Sequence, residues 1–294
     1  MSAPAEGRFR RGLVVGAAGG MGAMLLDRLN RRGHRVLGLD KVTVDGAIVG
    51  DIERPSSDDL ERLAAADLVV LALPDDVAVR VGPAVADRLA PEALLVDCCS
   101  VQTRFANSVA DVGRCEIISI NPLFGPGLDP TGRVVTLTPL RNGPAALRFE
   151  ASLKASGMRL IRLEPAVHDR VMAENQAGVH ALVLAHLLAR SAISSADLAP
   201  PPAAIVDRLA ARILSGAPHV YWSIQVDNPW AGEARKRLIA ALQALDDIFC
   251  AGDRQAFERQ LEAARLKLGT PVDALALDCI RMFEAASAGS KADE

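Results

Sequence analysis

The chain of 294 residues is half apolar and can bury a substantial core, as one large domain or two of ordinary size. No apolar run reaches the ~18 positions that a membrane helix needs. The net charge of −3, with no basic stripe interleaved with aromatics, gives nucleic acid no electrostatic footprint, so a small-molecule ligand and a soluble, cytoplasmic protein are expected.

The first residues, "MSAPAEGRFRRG", lead into a strand rather than an apolar signal core and read as a frayed terminus. From Leu13 to about Leu163, short apolar runs alternate with amphipathic stretches: "LVVG", "RVLGLD", "GAIVG", "DLVVLALP", "ALLVDCC", "EIISI", "VVTLT" and "RLIRL". Near-continuous apolar strands separated by helices imply a mostly parallel sheet buried on both faces, so residues 9–165 are expected to form a doubly wound, Rossmann-like α/β domain.

Its opening stretch, "LVVGAAGGMGAMLLDRLNRRGHRVLGLD", is a strand, a glycine turn, a helix and a second strand ending in Asp40. Gly16, Gly19, Gly20 and Gly22 let a pyrophosphate approach the backbone and a helix N-terminus, in a G-x-x-G-x-x-G variant of the dinucleotide turn. Asp40 lies 18 residues beyond Gly22, where it would accept hydrogen bonds from ribose hydroxyls and repel a 2′-phosphate, which favours NAD over NADP. Lys41 beside it tempers that choice. Met21, Leu73, Pro74 and Ser100 complete the expected set of cofactor contacts.

Five cysteines, at 98, 99, 115, 250 and 279, show no C-x-x-C spacing and an odd count. That argues against a disulfide framework or a zinc site, and no metal is expected. Cys98 and Cys99 close the fifth strand and read as small buried residues.

After "EPAVHD" the strand pattern stops, and residues 166–294 read as an all-helical domain. "EARKRLIAALQALDDIF" carries Leu238, Leu242, Leu245 and Phe249 on one stripe, "LAPPPAA" cannot lie inside a helix, and "KLGTP" is a glycine stop followed by proline. The last residues, "ASAGSKADE", read as a frayed tail. The apolar stripes suit a homodimer interface, though an intramolecular core would use them too.

Three segments remain, "DCCSVQT", "INPLFGPG" and "HDRVMAENQAGVH". In this order after a glycine turn, they resemble the prephenate and arogenate dehydrogenase family over nearly the whole chain. The resemblance implies a nucleotide-binding domain followed by a helical dimerisation domain. The family's histidine-proline-x-Phe-Gly-Pro motif appears as Asn121-Pro122-Leu123-Phe124-Gly125-Pro126, and its Asp-x-x-Ser-Val-Lys motif as Asp97 to Gln102, with glutamine in place of lysine. What the resemblance implies for Ser100 is a place beside the nicotinamide, bonded to the substituent at C4 of the substrate ring; the bare residue pattern equally allows a helix N-cap. It also implies that His180 lines the substrate pocket, with Gln176 four residues earlier on the same helical face. Arg212, near the apolar stripe of "AIVDRLAARILSG", resembles the family arginine that holds a substrate carboxylate, because a guanidinium kept close to a core requires an anion. His34, His168, His186 and His219 are read as structural or surface residues.

The family reaction is an oxidative decarboxylation in which hydride leaves C4 for NAD and carbon dioxide leaves C1. A hydroxyl at C4 benefits from a base, the role credited to the family histidine, but Asn121 carries an amide and cannot act as a base near neutral pH. A C4 amine needs no base, because its own lone pair can drive hydride loss. The departure therefore points to 4-amino-4-deoxyprephenate, the substrate of one branch of the family. Prephenate or arogenate oxidation is the alternative, and a non-catalytic NAD-binding regulator a second.

Overall fold

The computed structural model describes residues 7–191, 198–269 and 271–290. The first six residues, over which fraying is expected, and the last four lie outside the described residues. The chain divides into two compact units: Met1–Met172 with Trp222–Pro229, and Ala173–Tyr221 with Trp230–Glu294. The first unit thus runs past residue 165 and takes back a short segment from the helical half.

Eight strands of the first unit form one sheet: β1 (Gly12–Val15), β2 (Val36–Asp40), β3 (Ala47–Val49), β4 (Leu68–Leu71), β5 (Leu94–Asp97), β6 (Glu116–Pro122), β7 (Val134–Arg141) and β8 (Arg159–Arg162). Their order is β3-β2-β1-β4-β5-β6-β7-β8. Every pair is parallel except β6 with β7. That exception follows from the connection, since residues 123–133 contain no crossover helix and the chain can only turn back. Helices α1 (Gly20–Arg31), α2 (Ser57–Ala65), α3 (Asp75–Arg88), α4 (Gln102–Ser108), α5 (Pro144–Ala155) and α6 (Pro165–Met172) complete the unit.

The apolar runs are continuous because both sheet faces are covered. Leu13, Val15, Leu39, Val69, Leu71, Leu95 and Ile117 enter one core, while Val14, Val36, Val70, Val96, Ile118 and Ile120 enter the other. Local chemistry sets the helix starts. Ser56 and Asp59 form a reciprocal capping box at α2, and Pro144 opens α5 where its missing N–H costs nothing. The sheet's architecture brings the ends of β1, β2, β4, β5 and β6 to one edge, and with them Gly16, Asp40, Leu73, Ser100 and Asn121.

The second unit begins with a π-helical turn, Ala173–Gly178, which runs into α7 (Val179–Leu188). Then come α8 (Pro201–Leu214), α9 (Pro218–Val226), whose end belongs to the first unit, α10 (Ala231–Ala251), α11 (Arg254–Leu268) and α12 (Val272–Ser290). The triple proline opens α8, with Pro200 as the flanking residue and the next two in the first turn. Gly252 and Gly269 end α10 and α11 at φ of +65° and +67°, which an L side chain resists. The expected tail is shorter than "ASAGSKADE", because α12 continues to Ser290: alanines and serines there still propagate a helix already begun. Among the described residues, no helix is long and apolar enough to cross a membrane.

Candidate active site

The glycine turn is shaped by backbone, not by composition alone. Gly16 has φ +88°, and a Cβ there would lie 2.1 Å from the Ala72 carbonyl oxygen. At Gly22 a Cβ would lie 2.1 Å from the Gly16 oxygen, and at Gly20 it would meet the Pro126 ring at 2.7 Å. Gly19 precedes α1 with no side-chain cap, and the first turn, which contains Met21, holds no acidic residue. The helix's leading amides are therefore left for an anion, which the positive end of the helix favours. Asp40 is anchored at the end of β2, where its two oxygens accept the amides of Ala18 at 2.8 Å and Val42 at 3.1 Å. Leu73 leans against Gly16, and Pro74 flanks the start of α3. These residues fit a dinucleotide.

Beyond β5 the chain is held by two buried carboxylates. Asp75 accepts the amides of Ser100 and Val101 at 3.2 and 3.1 Å, together with the Ser223 hydroxyl at 3.0 Å. Burial pushes its carboxyl up, and those bonds offset part of the rise. Asp97 accepts the Cys99 amide at 3.0 Å and the Ser119 hydroxyl. Burial drives it up to about 7 against those bonds. Burial likewise pushes the Cys98 and Cys99 thiols well above their ordinary range, so both stay protonated and unreactive.

Ser100 is not a helix cap. Val101 flanks α4, and the first amides of that helix, Gln102 and Thr103, donate to the Asp169 carboxylate at 2.8 and 2.9 Å. The Ser100 side chain is thus not committed to the helix start. Gln102, in the family's lysine position, is fully buried; its Oε1 accepts the Thr138 hydroxyl, and its Nε2 is buried without a partner.

Asn121 lies on β6 and is 5% exposed. Its backbone carbonyl accepts the Thr136 hydroxyl from β7 at 3.2 Å, and its amide nitrogen lies 3.2 Å from Nε2 of His168. His168 is fully buried, and its Nδ1 donates to Asp169 at 2.8 Å. Of the structural and surface readings of His168, its burial and its two ring contacts select the structural one, and one of those contacts is with Asn121. The His-Asp pair at this helix start faces inward because the aspartate caps the amides of another helix, α4. For Asp169, burial alone would raise the carboxyl, but the bonds from His168, Thr103 and Gln102 outweigh it and hold it below the usual range. Asn228 fixes the same turn by donating to the Asp169 backbone oxygen at 2.7 Å.

The second unit brings together Gln176 in the π-helical turn and His180 on α7, each with a buried polar atom lacking a partner: Oε1 of the glutamine and Nδ1 of the histidine. The Tyr221 ring meets the His180 ring edge-on at 5.1 Å, and burial lowers the histidine's pKa, so the imidazole is neutral at neutral pH. Tyr221 also reaches the Arg212 carbonyl at 3.4 Å. Arg212 itself is exposed on α8, so the argument that its guanidinium sits near a core and requires an anion is overturned. Asp207, a candidate partner for it, instead pairs with Arg190 at 2.5 Å.

Comparison with known proteins decides the family. Residues 27–153 match the family model "Prephenate dehydrogenase, nucleotide-binding domain". The chain is 35% identical over 288 residues to a 4-amino-4-deoxyprephenate dehydrogenase of Streptomyces pristinaespiralis, covering 94% of this chain and 97% of that protein.

The chain belongs to the prephenate dehydrogenase family.

Solved structures of prephenate dehydrogenases agree with the fold. The Aquifex aeolicus enzyme, in complex with hydroxyphenyl propionate and NAD+, superposes with a TM-score of 0.68 at 18% identity, covering 90% of this chain and 98% of that one. An arogenate dehydrogenase from Synechocystis gives 0.67 at 20% identity, covering 88% and 98%. The residues matched to the family's nucleotide-binding domain begin at 27, just after the turn built by Gly16 and Gly22.

Proposed function

We propose that this chain is an NAD-dependent dehydrogenase that oxidatively decarboxylates 4-amino-4-deoxyprephenate to 4-aminophenylpyruvate, a precursor for p-aminophenylalanine-derived antibiotics. The observation that carries this reading is the buried amide of Asn121 at the end of β6, where the family resemblance implies an imidazole. The identity to the Streptomyces pristinaespiralis relative supports the same substrate.

Gly16, Gly19, Gly20, Met21, Gly22, Asp40, Leu73, Pro74 and Ser100 would hold NAD, which would supply the hydride acceptor. The chemistry at the ring then balances without a protein base. As hydride leaves C4, the amine lone pair forms an iminium. As the C1–carboxylate bond breaks, its electron pair returns through the ring to nitrogen, releasing carbon dioxide and leaving an aryl amine. Ser100 and Asn121 orient the amine at C4, and Asn121 offers no positive charge that would compete with the developing iminium. Gln176, His180 and Arg212 serve as polar contacts to the substrate's carboxylate-bearing ends. His180 is neutral and contributes a donor rather than a charge.

A hydroxyl substrate has one observation in its favour, the imidazole of His168 at 3.2 Å from Asn121. The amide nitrogen that faces it has its lone pair delocalised into the carbonyl and does not pass a proton on. Homodimerisation belongs to the same proposal. In the single chain, Ile239, Leu242 and Phe249 of α10 are 67%, 68% and 58% exposed, too much apolar surface on one helix to leave in water.

The test compares NADH formation with 4-amino-4-deoxyprephenate and with prephenate at matched concentrations. A preference for the amine of at least about 10²-fold, the low end of what a missing base costs, is expected. Equal or reversed preference would transfer the assignment to prephenate or arogenate oxidation. Turnover of neither would favour a regulator.

A further inference from the structure

The contact between Asn121 and His168 has a direction. Asp169 is an anion and can only accept, so the proton between it and the imidazole sits on Nδ1 of His168. In a neutral ring Nε2 is then a bare acceptor. The atom 3.2 Å away is the Asn121 amide nitrogen, which has hydrogens to donate while its lone pair is delocalised into the carbonyl and accepts nothing. Donor and acceptor therefore match in one arrangement alone: Nδ2–H of Asn121 donates to Nε2 of His168. The amide cannot rotate by half a turn without setting its oxygen against the imidazole lone pair. The relay ends in the first amides of α4, of which Gln102 shares Oδ1 of Asp169 with His168 and Thr103 takes Oδ2.

We propose that His168 is a positioning residue that fixes the polarity of Asn121, forcing its carbonyl oxygen, rather than its NH2, to face the reacting C4 substituent. This rests on the assignment of an amine at C4. Polarity matters because the two faces of an amide have opposite effects on that amine. A carbonyl accepts an N–H, which pushes density onto nitrogen and leaves the lone pair free to expel hydride. An NH2 would donate to the lone pair and withdraw the electrons on which the step depends. Asp169 and His168 thus make an ordinary asparagine a one-sided acceptor. The same bare Nε2 would accept an N–H from an imidazole at position 121 and leave that ring's other nitrogen unprotonated toward C4.

Nitrogen-15 NMR of the histidine rings in the full chain reads the tautomer directly, with the His168 signals assigned by their loss in His168→Gln. A proton on Nδ1 and a bare Nε2 are expected, and a proton on Nε2 would overturn the inference whatever the substrate. Kinetics supply the second readout, using whichever of the amine and hydroxyl substrates the wild type oxidises. His168→Phe, with its fold checked by circular dichroism, is expected to lose about tenfold in kcat while the KM for NAD stays within about twofold. His168→Gln, which retains an acceptor oxygen, should recover part of that loss. An unchanged kcat in His168→Phe sinks the proposal, and if that variant does not fold, the tautomer decides. Wild-type oxidation of prephenate but not of the amine removes the substrate assignment and leaves the tautomer result standing.

Discussion

Replacing Asp169 with asparagine changes one oxygen to an NH2 at constant shape. The geometry says which oxygen would survive. Oδ1 accepts both His168 and the Gln102 amide, while Oδ2 accepts only the Thr103 amide. The best orientation of the new amide keeps its oxygen at the first position and sets its NH2 against the Thr103 N–H. Two bonds then fall from charge-assisted to neutral, at about 1 kcal/mol each, and the bond from Thr103 is replaced by two facing donors, at about 1–3 kcal/mol. The sum is about 3–5 kcal/mol, a large share of the 5–15 kcal/mol typical of a folded domain. Urea unfolding of the full chain followed by circular dichroism should show the first transition moved to markedly lower denaturant. Asp169→Ala, which abandons all three donors, should be worse. An Asp169→Asn midpoint within about 1 kcal/mol of wild type would refute the view that this carboxylate holds the start of α4.

Three further outcomes are expected. Gly22→Ala should weaken NAD binding by at least about tenfold in a fluorescence titration, because its Cβ would sit 2.1 Å from a backbone oxygen that has nowhere to go. Asp97 has a folded pKa raised to about 7, so its contribution favours the protonated form: full below the ordinary carboxylate value of about 4, and lost as pH rises through 7. The neutral Asp97→Asn should therefore gain stability relative to wild type across that window and hold the gain above it; a gap independent of pH would contradict the assignment. Leu242→Glu with Phe249→Glu on α10 should shift a dimer to monomer in light scattering, and a wild type that is already monomeric would exclude that interface.

The sheet was legible because parallel strands covered on both faces leave unbroken apolar runs, and the eight runs from "LVVG" to "RLIRL" are the eight strands observed. The glycine turn was legible because close backbone approaches leave no room for a side chain at Gly16 and Gly22. His168 was not, since one histidine in a short helix carries no periodic signal and its importance lies in a neighbour 47 positions away. The exposure of Arg212 was not legible, because proximity to an apolar stripe does not say whether a long side chain folds inward or extends to water. The π-helical turn at Ala173–Gly178 was invisible for another reason: a shift of hydrogen-bond register over six residues is too short to alter an apolar period.

The order of the strands also separates two decisions that a dehydrogenase makes. Asp40 ends β2 and Asn121 lies at the end of β6, with β1, β4 and β5 in between. Four steps of about 4.8 Å put some 19 Å of hydrogen-bonded sheet between Asp40, proposed to read the adenosine ribose, and Asn121, proposed to read the ring substituent. At that separation the two substitutions should act additively. Descendants of such a chain could trade one cofactor for another, or one aromatic precursor for another, without having to renegotiate both at once.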